Sequence, residues 1–345
     1  LRSCGFKKNS HSKIVNNLSE LEKYYSFWKE ERNKLNVETD GIVLKINDIK
    51  KQETLGFTQK APRWSIALKF PAEEVSTKIQ NLVFQVGRSG AITPVANFDE
   101  VHLAGTKVSR ATLHNIERFQ SLDIHQFDTV VVRKAGEIIP EVVKVIRELR
   151  IENSEKIKFP STCPSCGQLL EKNSEEAVIK CINNSCQAKL IGLLKHWVSK
   201  AGMNIDGLGH KIIEQLIDAK LVNNLADLYS LNPNKLIQLE RMGEKSIINL
   251  LHEIEKSKQQ LWEKKLYGLG INHIGKVTAK NICSKFNSIE ELKNASLNNP
   301  NQIMEIDGIG EEIINSLKQW FSSKDNLNLV LLLSNKGVLF SNEFN

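Results

Sequence analysis

A glycine recurs four times in the C-terminal part of the sequence, and its spacing limits the folds open to that part. Gly209, Gly243, Gly275 and Gly310 lie 34, 32 and 35 residues apart, and each follows an apolar residue. Apolar residues also recur four positions after each glycine (Ile213, Ile247, Ala279, Ile314) and seven positions after it (Leu216, Leu250, Ile282, Leu317). These two positions share one face of a helix. The pattern predicts four tight turns, each opening an amphipathic helix, and an all-α unit over residues 191–335.

This turn-and-helix unit is typical of helix-hairpin-helix motifs. A glycine before a helix lets a phosphate approach the free N–H groups and the positive dipole end of the helix. Such contacts hold DNA without reading its sequence. The residues predicted to hold phosphates are Gly207, Gly209, Lys211, Gly243, Lys245, Gly275 and Lys276. In the fourth repeat Glu311 and Glu312 would repel a phosphate. Alternatively, the glycines mark turns of a plain helical bundle. Ankyrin and TPR repeats have similar periods, but signatures such as Thr-Pro-Leu-His are absent.

Four of the six cysteines crowd into 24 residues. They form two pairs, Cys163-x2-Cys166 and Cys181-x4-Cys186, and Pro164 and Gly167 suit the turn of a zinc knuckle. Two close thiol pairs separated by a loop suit one tetrahedral Zn²⁺. We therefore predict a structural Cys4 zinc finger within residues 151–190. The alternative is a set of free buried thiols. A local cluster favours a reducing compartment over a secreted disulfide scaffold, so we expect a cytoplasmic protein.

Short strands punctuated by Gly and Pro fill residues 76–150. Alternating or β-branched runs occur at residues 82–86, 92–95, 129–133 and 142–146. Several short strands in so few residues predict a small barrel. Arg88 and Arg110 lie beside Gly-rich or Ser/Thr-rich turns. We expect both to contact a DNA backbone, to which the net charge of +7 is favourable without being decisive.

Residues 1–75 combine a helix near residues 18–28 with two strands, 41–46 and 64–70. On the first strand Ile42, Leu44 and Ile46 share the predicted core face; on the second, Ile66, Leu68 and Phe70 do so. Lys45 and Lys69 would then each project from the opposite face. Two lysines at the floor of a cleft suit a phosphate whose charge shifts during transfer. Two ordinary solvent lysines would give the same pattern.

Longer stretches around these residues resemble the NAD-dependent DNA ligases of bacteria. The segment 38–45 is similar to their fourth nucleotidyltransferase motif, and 61–74 to their fifth. Segments 86–96 and 108–115 resemble their OB-fold. The cysteines and the glycine repeats follow in the same order. The resemblance implies a multidomain α+β chain: the C-terminal part of an adenylation domain (1–75), an OB-fold barrel (76–150), a Cys4 zinc finger (151–190), a helix-hairpin-helix domain (191–335) and a tail (336–345).

The resemblance also implies a three-step reaction. A lysine attacks the adenylyl phosphorus of NAD, AMP passes to the 5′-phosphate at a nick, and the neighbouring 3′-hydroxyl then displaces AMP. By motif position Lys45 and Lys69 would contact the adenylate phosphate, and Asp40 would help to organise that pocket. Mg²⁺ or Mn²⁺ would assist the phosphoryl chemistry. The expected partner is nicked double-stranded DNA, bound by a monomer.

The sequence departs from this family in one respect. The nucleophilic lysine of the family lies in a Lys-x-Asp-Gly motif, and here Glu38, Asn204 and Glu305 stand two residues before the three Asp-Gly pairs. We therefore assign no catalytic nucleophile. We expect the chain to be a fragment that lacks the upstream nucleophile motif and a C-terminal BRCT domain. The alternative function is a non-catalytic clamp on nicked DNA. No apolar run approaches the length of a transmembrane helix, so we expect no membrane association.

Overall fold

The computed structural model describes residues 5–6, 11–37, 39–58, 60–135, 139–172 and 178–342. Glu38, the first residue of the predicted adenylation motif, lies outside these residues, as do residues 343–345 of the predicted tail. In the described part, the helices are too short or too polar to cross a bilayer.

The N-terminal unit is a two-stranded antiparallel sheet with two helices. Its elements are α1 (Leu18–Glu31), β1 (Gly41–Lys45), α2 (Ile49–Leu55) and β2 (Ser65–Lys69). The side chain of Asn17 caps α1 by accepting from the Glu20 N–H, as small polar residues do at helix starts. The Tyr25 hydroxyl on α1 donates to the Lys69 carbonyl at 3.0 Å. The helix thereby fixes the end of β2 that carries Lys69.

Five strands close into a barrel in the order β3-β4-β5-β7-β6. The strands are β3 (Glu74–Val86), β4 (Ile92–Leu103), β5 (Thr106–Thr112), β6 (Thr129–Ala135) and β7 (Ile139–Val145), with α3 (Ile116–Leu122) between β5 and β6. Ile79, Leu113 and Val132 are fully buried inside, and α3 adds Phe119 to the same core. Strand β5 and helix α3 were not predicted, because the polar residues of β5 hide its alternation and α3 spans seven residues.

The cysteine segment contains a short antiparallel hairpin, β8 (Leu170–Lys172) and β9 (Ile179–Cys181). The remainder is helical, with the core running from Leu194 to Phe340 as one cluster. Its helices are α4 (Gln187–Val198), α5 (His210–Asp218), α6 (Pro233–Leu236), α7 (Glu244–Ser257), α8 (Trp262–Gly268), α9 (Lys276–Lys285), α10 (Ile289–Asn298), α11 (Asn301–Met304), α12 (Glu311–Ser322) and α13 (Lys324–Asn335).

The four predicted repeat helices are α5, α7, α9 and α12. Each begins immediately after its glycine, which is the N-cap residue. All eight apolar residues at the fourth and seventh positions are buried. The periodic pattern therefore located these helices and their core faces correctly.

Two segments belong to different units than the sequence suggested. Ile157 and Phe159 pack against the barrel core, so residues 151–159 extend the barrel and do not open the zinc finger. The predicted tail is also structured in part. Val338 and Phe340 are buried in the helical core, and the Ile289 N–H donates to the Phe340 carbonyl. Both segments lack a regular apolar period, and only the tertiary contacts show where they pack.

Candidate functional site

Lys45 and Lys69 lie on the same face of the β1–β2 hairpin. The register pairs Gly41 with Lys69, Val43 with Ala67 and Lys45 with Ser65, and directly opposed residues of an antiparallel pair share a face. The two lysines are four positions apart, or about 13 Å along the strand direction. The exposed pair of Val43 and Ala67 lies between them. The face is therefore an apolar floor with a cation at each end.

Asp40 is tied to one of these cations. Its carboxylate lies 2.8 Å from the Lys69 Nζ, and both side chains are half exposed. The hydrogen bond from Lys69 lowers the pKa of Asp40 below its usual range. Gly41 is needed beside it, because an added Cβ would lie 2.4 Å from the Leu68 carbonyl oxygen. The residues predicted as an adenylate pocket thus include one ion pair, Asp40 with Lys69, and a close contact between the Gly41 and Leu68 backbones.

The opposite face of the hairpin does not form the core that the alternation predicted. Phe70 is buried, but Ile66 is 67% exposed and Leu68 is 38% exposed. Phe70 packs against Tyr25 of α1, and Arg32 lies over its ring. The alternation assigned the residues to the correct faces but overestimated how much of the apolar face is covered in this chain.

The four cysteines converge on one point. All four sulfur atoms lie within 4.8 Å of one another, with 3.9 Å between Cys163 and Cys186 and 3.6 Å between Cys166 and Cys181. Thiolates bound tetrahedrally to Zn²⁺ at 2.3 Å would be about 3.8 Å apart. Bonds from the Cys163 N–H to the Gln168 carbonyl and from the Gly167 N–H to the Cys163 carbonyl close the first turn. This donor set fits zinc.

The electrostatics of the cluster also suit a cation. A backbone hydrogen bond from Gln168 lowers the pKa of Cys166 to about 6, whereas burial raises that of Cys181 to about 12. Four thiolates in one small volume would repel one another without a cation. A bound divalent ion would bring all four into the thiolate form, so binding would release protons.

The glycines that begin the repeat helices leave the helix N-termini open. Gly209, Gly243, Gly275 and Gly310 are exposed N-caps without a side-chain capping bond, and a Cβ added at any of them would meet nothing within 4 Å. Lys211, Lys245 and Lys276 are exposed within the first two residues of their helices. Glu311 and Glu312 occupy this place in the fourth repeat. The first three termini are therefore more favourable to a phosphate than the fourth.

A second feature repeats two residues before each of these glycines. Gly207, Arg241, His273 and Gly308 all have left-handed backbone angles, with φ of +90°, +62°, +62° and +79°. The four turns therefore share a conformation even where the glycine has been replaced. The His273 Nδ1 lies 2.8 Å from the Ser316 hydroxyl of α12, which links the third turn to the fourth repeat.

The two barrel arginines predicted to contact DNA lie in different environments. Arg110 is exposed on β5, opposite Asn97 of β4. Arg88 instead projects into the helical unit, and its Nη1 is buried with no hydrogen-bond partner among the described residues. The contact of Arg88 with a DNA backbone therefore stays a prediction, and the structure adds a contact with the helical unit. The sequence suggested a DNA contact because a Gly-rich turn has the same pattern whether a phosphate or a neighbouring helix packs against it.

Sequence reasoning missed a charged cluster near Arg110. Glu141 is paired across the sheet with both Thr112 and Arg133. Its carboxylate lies 2.6 Å from His114 Nε2 and 2.7 Å from Arg133 Nε. Burial opposes the charge of Glu141, but these two hydrogen bonds lower its pKa below the usual range. The pairing depends on strand register, which residue types alone do not indicate.

Comparison with known families agrees with this order of units. The NAD-dependent DNA ligase adenylation domain matches residues 1–73, the NAD-dependent DNA ligase OB-fold domain matches 76–155, and the NAD-dependent DNA ligase C4 zinc finger domain matches 162–188. A SAM-like helix-hairpin-helix tandem matches residues 203–256, and a helix-hairpin-helix motif matches 264–330. The OB-fold and helix-hairpin-helix domains imply DNA binding.

Curated relatives carry the name DNA ligase. The chain is 52% identical to that of Prochlorococcus marinus strain NATL1A over 341 residues, which are 99% of this chain and 49% of the relative. It is 51% identical to that of strain SARG over 338 residues, 98% and 49% of the two chains. The Synechococcus strain WH7803 protein is 49% identical over 338 residues, 98% and 48% of the two chains. The chain spans about half the length of the curated relatives it matches. From the adenylation motifs to the last hairpin repeat, this chain belongs to the NAD-dependent DNA ligase family.

Proposed function

We propose that this chain acts in NAD-dependent sealing of nicks in duplex DNA, as the part that binds the DNA and contacts the adenylate phosphate. The observation that carries the proposal is the shared face of Lys45 and Lys69, with Asp40 bound to Lys69. Positioned cations stabilise the charge that develops on a phosphoryl group during its transfer. The exposed floor between the lysines leaves room for a nucleotide.

Each residue of this face has a defined role in the proposal. Lys45 and Lys69 bind the adenylate phosphate from its two sides, and Asp40 keeps Lys69 charged and oriented. Among the described residues, the cysteine cluster is the one group of three or more metal-ligand side chains. Magnesium would therefore be held largely by substrate phosphate oxygens, as is common for this ion.

We propose that Cys163, Cys166, Cys181 and Cys186 hold one structural zinc ion, with no open position for catalysis. Metal analysis of protein purified with zinc and washed with a weak chelator should give one zinc per chain. Replacing Cys181 by Ser should abolish stoichiometric zinc. The same replacement at Cys283, which lies outside the cluster, should leave the zinc content unchanged. Retention of one zinc by the Cys181→Ser protein would contradict the assignment.

The second candidate function is a clamp on nicked DNA that performs no chemistry. The observation that favours it is the absence of Lys-x-Asp-Gly from the 345 residues. Both functions predict binding to nicked duplex. We also propose that the protein is monomeric and cytoplasmic, in keeping with a thiol cluster that needs a reducing compartment. Light scattering on the purified chain measures the first of these properties.

A chimera separates the two candidate functions. The segment that precedes the matched region in the Prochlorococcus marinus NATL1A ligase is joined to Leu1, and sealing of a nicked duplex is measured with NAD. Ligation supports the first function. Lys45→Ala and Lys69→Ala in the chimera should each slow sealing by about 100-fold or more, because a transition-state charge loses its partner.

Lys51 provides the matched control, since it is an exposed lysine on α2, outside the predicted pocket. Lys51→Ala should seal at the unmodified rate. A folded chimera that binds nicked DNA but seals none would favour the clamp. An equal loss of sealing rate for Lys51→Ala and Lys69→Ala would show that the overall positive charge matters and the pocket does not.

A further inference from the structure

The turn between β3 and β4, residues 87–91, contacts two other units at once. On one side the Cys181 N–H donates to the Gly90 carbonyl at 2.9 Å, and Ala91 forms a bridge with Lys180 of β9. A Cβ added to Gly90 would lie 2.3 Å from the Cys181 carbonyl oxygen. The barrel turn is therefore pressed backbone-to-backbone against the cysteine hairpin.

On its other side the same turn inserts Arg88 between two glycines of the helical unit. A Cβ at Gly192 of α4 would lie 2.9 Å from the Arg88 Cα, and one at Gly270 would lie 2.6 Å from its Nη1. Leu193 also lines this space, because its Cδ1 is 3.1 Å from the Gly270 Cβ position. The two glycines form a cradle for the arginine. A residue with a side chain at either position would occupy the space that Arg88 fills.

The Nη1 end of the Arg88 guanidinium is buried in this cradle, whereas the residue as a whole is partly exposed. Burial lowers the pKa of Arg88 below its usual range, although a guanidinium stays charged at neutral pH. His196 of α4 feels this charge, since burial and then the positive charge of Arg88 lower its pKa. His196 is kept in place by Tyr267, whose carbonyl lies 2.8 Å from the His196 Nε2. A buried donor without an acceptor costs stability, so the placement of Arg88 is not explained by stability alone.

We propose that Arg88 is a positioning residue. Its side chain lies in the Gly192–Gly270 cradle and fixes the orientation of the barrel relative to the helix-hairpin-helix unit. In this orientation the barrel face around Arg110 and the open helix N-termini contact one duplex together. The part of this inference that concerns DNA rests on the proposed function. The contact between the barrel and the helical unit through Arg88, called the joint below, does not. Because Arg88 acts through orientation, its loss should weaken DNA binding without removing a phosphate contact.

The test compares Arg88→Ala with Arg110→Ala in the full zinc-bound chain. Small-angle X-ray scattering without DNA gives the radius of gyration, and binding to a nicked duplex is measured at several salt concentrations. Arg88→Ala should increase the radius of gyration and weaken binding about tenfold, since a barrel that is no longer fixed must be ordered against the helical unit before both surfaces bind the duplex. The slope of log affinity against log salt should not change. Arg110→Ala should leave the scattering unchanged and reduce the slope by about 0.9.

Gly192→Ala supplies a second approach to the joint. Alanine is the better helix former, so α4 itself should be more stable, yet its Cβ cannot fit against Arg88. It should therefore reproduce the larger radius of gyration of Arg88→Ala, with unchanged circular dichroism and zinc content. Unchanged scattering for Arg88→Ala would overturn the proposal, and a slope reduced by about one would then show a direct phosphate contact. Failure of every form to bind DNA would refute the proposed function, while the scattering would still decide the joint.

Discussion

At the scale of single residues, two hairpin turns keep a conformation that their residues do not favour. Arg241 and His273 adopt φ of +62°, where the first and fourth turns have glycine. The left-handed region costs a residue with a Cβ about 1–2 kcal/mol. His273 has a hydrogen bond to Ser316, whereas the Arg241 side chain is 80% exposed beside Glu240. The strain at Arg241 is therefore the less compensated of the two.

Arg241→Gly should stabilise the chain by about 0.5–1 kcal/mol. Relief of the left-handed strain exceeds the entropy that glycine adds to the unfolded chain. Urea unfolding followed by tryptophan fluorescence measures the change. Asn249→Gly is the control, because Asn249 is an exposed residue inside α7 where glycine should destabilise. A lower urea midpoint for Arg241→Gly would show that the turn is not strained.

Lys265 of α8 should make stability depend on pH. It is 2% exposed, donates from Nζ to the Leu339 carbonyl at 2.7 Å, and burial lowers its pKa from 10.5 to about 8. Because the folded chain loses this proton first, the unfolded chain binds more protons between about pH 8 and 10.5. The contribution of Lys265 to the free energy of unfolding therefore rises with pH across this window.

Comparison with Lys265→Met isolates this contribution from other titrating groups. The variant removes the proton but keeps a long side chain, so its stability relative to the native chain should fall steadily from pH 8 to 10.5. Urea unfolding at a series of pH values measures the difference. A constant difference between the two proteins would mean that Lys265 does not titrate in this range.

At the scale of elements, the helix-hairpin-helix repeats should contribute unequally to DNA binding. Lys211→Ala and Lys245→Ala should each weaken binding to a nicked duplex and lower the salt slope by about one. Replacing Glu311 and Glu312 by Gln should leave binding nearly unchanged if the fourth repeat only packs, since its two carboxylates already keep a phosphate away from that helix. Filter binding at several salt concentrations decides this. A large loss only on mutation of the fourth repeat would put the DNA on another surface.

The C-terminal segment beyond α13 should be needed for stability. Phe340 is 4% exposed and contacts the rings of Trp197 and Trp262. Phe340→Ala should destabilise the chain by about 3–5 kcal/mol through lost burial and a cavity. The exposed Leu339 offers a neighbouring control, since Leu339→Ala should cost much less. Similar urea midpoints for both variants would show that Phe340 contributes little to stability and that the segment is a tail, as the sequence predicted.

Periodic elements were the ones that the sequence made predictable. The repeat helices each bury residues at regular positions from a glycine, and β1 and β2 alternate between faces, so a short pattern contains the necessary information. Strand β5, the extension at residues 151–159 and the segment around Phe340 lack such a pattern. They are held by contacts with residues distant in sequence. Arg88 shows the same limit at a site, because its neighbours are Gly192, in α4, and Gly270, in the turn after α8, about 100 and 180 residues away in sequence.

At the scale of the whole molecule, we predict that this 345-residue chain forms no covalent AMP adduct with NAD. None of its Asp-Gly pairs has a lysine two residues earlier. Mass spectrometry after incubation with NAD and Mg²⁺ should show only the unmodified mass. An adenylylated lysine at any position would refute the prediction. If that lysine were Lys45 or Lys69, their assignment to phosphate binding would also be wrong.

The open glycine N-caps have a consequence for how the protein would travel on DNA. Three such termini, those of α5, α7 and α9, lack the acidic pair that begins α12. They are built on one shared core, and none adds a side chain to its cap. Contacts made through backbone N–H groups depend on the phosphates, which recur identically at every step of a duplex. One terminus can release its phosphate while the others stay bound, and the vacated site can then engage the next phosphate. We therefore predict that a chain that holds DNA in this way would slide along the double helix to a break without dissociating into solution.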